Sequence, residues 1–196
     1  EMHWSLVGSE MCIRDRSWPK ETDMPLEGNY LDMPVFIPDL DEPNSEFYSH
    51  CASGTLHLQR CTACNLVRYP TTTMCPFCTH EEYDWAPMSG KGTVYSYAEI
   101  HHAILPRFRE FTPYALLLVE LDEQKDTPNE FDGLRINGNL VTADGTMAPE
   151  ALVRSIGIGS RVRVHMVDMG GGIALPQWEL DPDAEQPEAP WRYAQE

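Results

Sequence analysis

Four cysteines fall into two equal steps, Cys61-Thr-Ala-Cys64 and Cys75-Pro-Phe-Cys78, separated by ten residues. A Cys-x-x-Cys step lets the backbone turn tightly enough to aim both sulfurs at one point. Two such steps facing each other across a hairpin offer four thiolates to one ion. Zinc accepts four sulfurs tetrahedrally at about 2.3 Å, and a site so filled has no open position for water. The expected ion is therefore structural. Iron is the competitor, because the same ligand set also serves single-iron electron carriers; zinc is favoured because no other redox feature accompanies the pairs. A reactive dithiol would open a helix in a βαβ setting, and none is written here. Arg60 and Arg68 are placed to offset the thiolate charge. A second cluster, His101 and His102 followed by Arg107 and Arg109, has the chemistry to meet a phosphate or a carboxylate, or is an ordinary exposed loop. No Ser/His/Asp motif, phosphate loop or HExxH is present.

The elements that must carry these residues read as mainly β. Residues 44–53 predict a short helix, capped by Asn44 or Ser45 and stopped by Gly54. Phe47, Tyr48 and Cys51 share one face of it, with Cys51 as a small apolar contact rather than a fifth ligand. Thr55–Gln59 alternates polar and apolar and leads as a strand into the first cysteine pair. Five further strands follow at 93–101, 113–122, 133–141, 160–168 and 173–180, with a short helix at 149–155 between the third and fourth. The run 113–122 is apolar enough for burial on both faces. Strand count and helix position match a five-stranded OB barrel, although an SH3-like barrel reads similarly.

The chain has 196 residues and 42% apolar content, enough for a small module plus a domain of about 100 residues. No apolar run approaches the roughly 20 residues of a membrane helix, and no secretory leader is visible. Paired cysteines without a disulfide pattern indicate a reducing compartment, so a cytoplasmic location is expected. Net charge is −17, but residues 57–170 hold 14 acidic and 10 basic side chains, so most of the excess lies at the ends. Residues 1–17 are read as foreign: Leu6–Asp15 resembles the translation of a sequencing adapter, the alternative being a disordered leader, and Cys12 carries no role in either case. Residues 18–43 are an extended, proline-interrupted arm that either lies on its own domain or docks on a partner. Residues 44–59 lead into a ribbon at 60–86, the barrel spans 87–180, and 181–196 form an acidic tail with Trp191 and Tyr193 as candidate anchors.

Taken together, several runs resemble one family. They are Leu58-Gln-Arg-Cys-Thr-Ala-Cys-Asn, Tyr69-Pro, Cys75-Pro-Phe-Cys78, Ser89-Gly-Lys-Gly-Thr-Val-Tyr-Ser-Tyr97, Pro113 to Leu121, Gly138-Asn-Leu140 and Ile158 to Val164, with the helix holding Phe47 and Tyr48. The set resembles the zinc-ribbon OB-fold accessory proteins of thiolase-like enzymes, over roughly Asn44 to Leu180. The resemblance implies a rubredoxin-like zinc ribbon followed by an OB barrel. It also implies a non-catalytic subunit of a complex that makes or breaks carbon–carbon bonds next to an acyl-CoA thioester. The catalytic groups would sit on a thiolase-like partner, in a two-plus-two assembly. His101, His102, Arg107, Arg109, Phe47 and Tyr48 would then face the partner or the acyl-CoA channel. The long acidic arm and the insertion Gln124–Asp132 depart from the family pattern. Two other functions compete. Nucleic-acid binding suits both modules, but phosphate affinity comes from Lys and Arg, which a middle region at −4 supplies poorly. A rubredoxin-like electron carrier requires iron in the ribbon.

Overall fold

The computed structural model describes residues 26–37 and 42–194. These run as β1 (Leu26–Tyr30), β2 (Met33–Ile37), α1 (Glu42–Ala52), β3 (His57–Cys61), β4 (Val67–Arg68), β5 (Tyr83–Pro87), β6 (Lys91–Ile100), β7 (Tyr114–Leu121), β8 (Arg135–Asn139), α2 (Glu150–Ser155), β9 (Arg161–Asp168) and β10 (Ala174–Leu180). The first 25 residues, with the adapter-like run and Cys12, lie outside the described residues.

Five strands wrap in the order β10-β9-β6-β7-β8. The edges close where Leu140 bridges Trp178 in parallel and the Val141 N–H donates to the Trp178 carbonyl at 2.8 Å. This is the strand order of an OB barrel. One long strand must pair on both sides for the sheet to close, and β6 does so, with β7 along its length and with β9 at its start. Gly92 permits the coil: a Cβ there would sit 2.6 Å from the Glu120 carbonyl oxygen. A bulge between Val94 and Ser96 then re-aims the strand and turns Tyr95 outward, under the Arg135 guanidinium. Val94, Leu117, Val119, Ile136, Val162 and Trp178 fill the interior. Val153 of α2 and Ile156, which directly follows that helix, close one end.

The run 113–122 is buried on both faces only at its end. Val119, Glu120 and Leu121 are all covered, whereas Leu116 stays 37% exposed. The outer face of β7 is covered at one end, where Glu120 pairs with Arg135 at 3.0 Å, and open at the other.

The ribbon is a three-stranded sheet, β4-β3-β5. Leu56 and Leu58 join Phe47 and Cys51 in the same core as the barrel residues. Gln124, nearly buried, accepts the Val67 N–H at 2.6 Å and donates to the Val67 carbonyl at 2.9 Å, acting as one more rung between barrel and ribbon.

Both end segments lie against the domain where they are described. In the arm, residues 26–37 form a hairpin with alternating burial. In the tail, the Gln186 side chain pairs with both backbone groups of Arg161, and Trp191 pairs with Ile158. Arg192 reaches the buried carboxylate of Glu99 at 2.6 Å, and the Tyr193 N–H donates to the Tyr97 hydroxyl at 3.0 Å. Trp191 and Tyr193 are thus held through their backbones while their rings remain more than half exposed.

Candidate metal centre and recognition face

Two turns of equal construction build the cysteine cluster. In the first, the Cys61 N–H donates to Leu66 and the Asn65 N–H donates back to Cys61. In the second, the Cys75 N–H donates to His80 and the Thr79 N–H donates back to Cys75. Both returns need a left-handed residue directly after the second cysteine, and Asn65 (φ 62°) and Thr79 (φ 63°) supply it. Asparagine tolerates that conformation, whereas a β-branched threonine is strained there.

The four Sγ atoms lie within 4.8 Å of one another. Cys61 to Cys78 and Cys64 to Cys75 are each 3.6 Å apart. A tetrahedron with metal–sulfur bonds of about 2.3 Å has edges of about 3.8 Å, so the spacing fits one ion. Among the described residues this is the one group of its kind. The surroundings suit thiolates as well. Backbone N–H groups of Cys64 and Ala63 face the Cys61 sulfur, and that of Leu66 faces Cys64. Those of Phe77 and Cys78 face Cys75, and that of His80 faces Cys78. Hydrogen bonds to sulfur favour its charged form. The donor set therefore fits a metal ion held by four thiolates.

Cys51 behaves differently. It is fully buried in the core, and burial pushes its thiol up to about 12, so it is an inert apolar contact. Arg60 pairs with Asp84 at 2.7 Å on the surface. Arg68 is buried and donates to Gln59 Oε1 at 2.9 Å and to the Thr72 carbonyl at 3.0 Å. Both arginines brace the ribbon strands and are engaged away from the sulfurs.

The remaining sequence candidates are scattered. Phe47 is buried in the chain's own core against Tyr48 and Tyr69, so its ring is not at a partner surface. Tyr48 is half-buried, and burial raises its hydroxyl pKa. His101 is exposed and lies 3.2 Å from Glu99. Arg107 is turned toward the hairpin, where it donates to the Leu31 carbonyl at 2.8 Å and pairs with Asp32. Arg109 is exposed. His102 joins a groove of about 540 Å³ lined with Ile100, Ile104, Leu105, Phe108, Tyr114, Leu116 and Asn139, whereas His101 lines a separate, smaller cavity of about 300 Å³ beside Tyr97 and Tyr193.

Sequence reasoning missed this groove. The available signal was an apolar Ala103-Ile-Leu105 run inside a loop flanked by His and Arg. In OB barrels the second and third strands, with the loop joining the first two and the loop joining the last two, form the ligand face. Here those parts are β7, β8, residues 101–113 and residues 169–173. The groove lies on that face, and its lining is apolar rather than cationic.

The comparisons with known proteins bear on both features. Residues 85–167 match the family described as ChsH2, C-terminal OB-fold domain. A solved structure, the Ltp2-ChsH2(DUF35) aldolase, aligns with a TM-score of 0.56 and 31% identity, over 73% of this chain and 98% of that one. The chain belongs to the ChsH2 (DUF35) family. A probable enoyl-CoA hydratase alpha subunit from Thermomonospora curvata is 32% identical over 71% of this chain, which spans only 38% of that relative's length. The benzoylsuccinyl-CoA thiolase subunit BbsA from Thauera aromatica is 28% identical, over 59% of this chain and 69% of that relative. No helix among the described residues is long and apolar enough to cross a membrane.

Proposed function

We propose that this chain is a non-catalytic accessory subunit of a thiolase-like enzyme complex acting on acyl-CoA substrates, by carbon–carbon bond formation or by retro-aldol or thiolytic cleavage. The observation that carries the reading is the match over 98% of the ChsH2(DUF35) chain of an aldolase named for two components. The thiolase subunit BbsA supports the same reading from a second direction. The metal is zinc. Four sulfurs fill its coordination sphere, so it staples the ribbon and has no position left for a substrate.

The chain contributes shape in this reading. The open end of β7 and the loop 101–113 present apolar surface beside a groove, and a buried contact with a partner is the usual fate of such surface. His102 and Arg109 are the loop candidates that face outward for a partner or an acyl-CoA, with Tyr48 at the helix. His101 stands beside them, tethered to Glu99. The complex is a two-plus-two assembly in the cytoplasm.

Co-expression with a thiolase-like protein encoded next to this chain tests the proposal. The pair is expected to co-purify as a heterotetramer by light scattering, to turn over acyl-CoA only together, and to be colourless with one zinc per chain of this protein. Acyl-CoA turnover by this polypeptide alone would refute the accessory role. A coloured, redox-active iron site would refute the metal assignment.

A further inference from the structure

The hairpin β1–β2 touches both loops of the recognition face. At the loop between β9 and β10, the Asn29 N–H donates to the Met169 carbonyl at 2.6 Å. Backbones meet there so closely that only glycine fits on either side. A Cβ on Gly28 would lie 2.7 Å from the Met169 oxygen, and one on Gly171 would lie 1.7 Å from the Glu27 oxygen. At the loop between β6 and β7, Arg107 grips the hairpin turn through the Leu31 carbonyl and the Asp32 carboxylate. The Tyr30 ring packs on Phe108 with centroids 6.0 Å apart, and its hydroxyl accepts a hydrogen bond from Asn139 of β8 at 3.2 Å. Phe108 and Asn139 both line the groove.

Apart from the hairpin, the loop is anchored at its start by the buried Ala103 and on β7 by Phe108 against Tyr114, with centroids 5.4 Å apart. None of residues 106–111 is buried, and Ile104 is 89% exposed. The hairpin turn, for its part, carries two non-glycine residues in the left-handed region, Leu31 (φ 52°) and Asp32 (φ 59°). Such residues persist where surrounding contacts over-determine them. Arg107 makes those contacts.

We propose that the N-terminal hairpin is an intramolecular strap spanning the two recognition loops of the barrel, and that Arg107 is the positioning residue through which it holds residues 101–112 in the groove-forming conformation. The strap fills in cis part of the face on which other OB barrels take long ligands, and leaves the apolar groove as the part still open.

Hydrogen–deuterium exchange on the full chain tests it. Arg107→Ala and Asp32→Asn are each expected to speed exchange of residues 103–112 about tenfold, the scale of losing a charge-assisted hydrogen bond. The double substitution should add nothing further, and Arg107→Lys should restore part of the protection. Gly171→Ala, which forces the hairpin off the opposite loop, is expected to loosen 103–112 as well, although it lies in another part of the sequence. The barrel's melting temperature should stay within a few degrees throughout. If the hairpin amides open in these variants while residues 103–112 keep their exchange rates, the loop is held by something else and the proposal fails. Additive effects of Arg107→Ala and Asp32→Asn would also sink it.

Discussion

Thr79 occupies a conformation that glycine adopts freely and that β-branched residues avoid. Its N–H bond back to Cys75 holds it there, because the turn must present two sulfurs to one point. The strain costs on the order of 1–2 kcal/mol, partly offset by the greater freedom glycine would lose on folding. Thr79→Gly is therefore expected to stabilise the ribbon by about 1 kcal/mol, read as a higher melting temperature with unchanged metal content. Asn65, in the equivalent position of the other turn, should respond more weakly to the same change, because asparagine already tolerates the left-handed region. Cys51 marks the opposite limit of cysteine chemistry in this chain: its burial in the core leaves it a hydrophobe with a thiol held up at about 12.

At the scale of elements, the ribbon is joined to the barrel by more than covalent continuity. Gln124 satisfies both backbone groups of Val67 across the junction and is itself almost wholly buried. Removing it strands a buried N–H and a buried carbonyl, each expensive to leave unpaired. Gln124→Ala is expected to cost about 2–3 kcal/mol in denaturant unfolding, and to speed amide exchange in β4 before β7. Gln59 and Arg68 form a second buried polar set inside the ribbon, tying β3, β4 and the Thr72 backbone together. The strand β7 leads into this junction at its covered end, and its open end lines the groove.

For the whole molecule, the division of labour between metal and core decides how it fails. The barrel has its own interior, with Trp178, Leu117 and Ile136 fully buried, whereas the ribbon depends on four sulfurs meeting at one ion. Metal binding and folding are coupled in such modules. Cys61→Ser, or prolonged chelation, is expected to unfold residues 60–86 while the barrel keeps its near-ultraviolet signature, leaving one melt at a lower temperature and with a smaller unfolding enthalpy. A single unchanged melt would contradict a structural ion. The acidic ends also act at this scale: the described part of each lies on the barrel, the arm across its recognition loops and the tail along β6, β9 and α2.

Two cysteine steps at equal spacing, the strand count and the short helix before the fourth barrel strand were legible from residue order alone, because each follows from local periodicity and turn chemistry. The family resemblance rested on the same runs. Tertiary structure alone decided which exposed residues matter. Arg107, a candidate ligand contact in sequence, is taken up by a turn 75 residues earlier in the chain, and Phe47 is taken into the core. The Gln124 rung joins residues 57 apart in sequence, and the groove sets Asn139 of β8 against the 100–116 segment; no local pattern encodes either meeting. Their existence depends on how the barrel closes, and that is set by packing over the whole chain rather than by any segment of it.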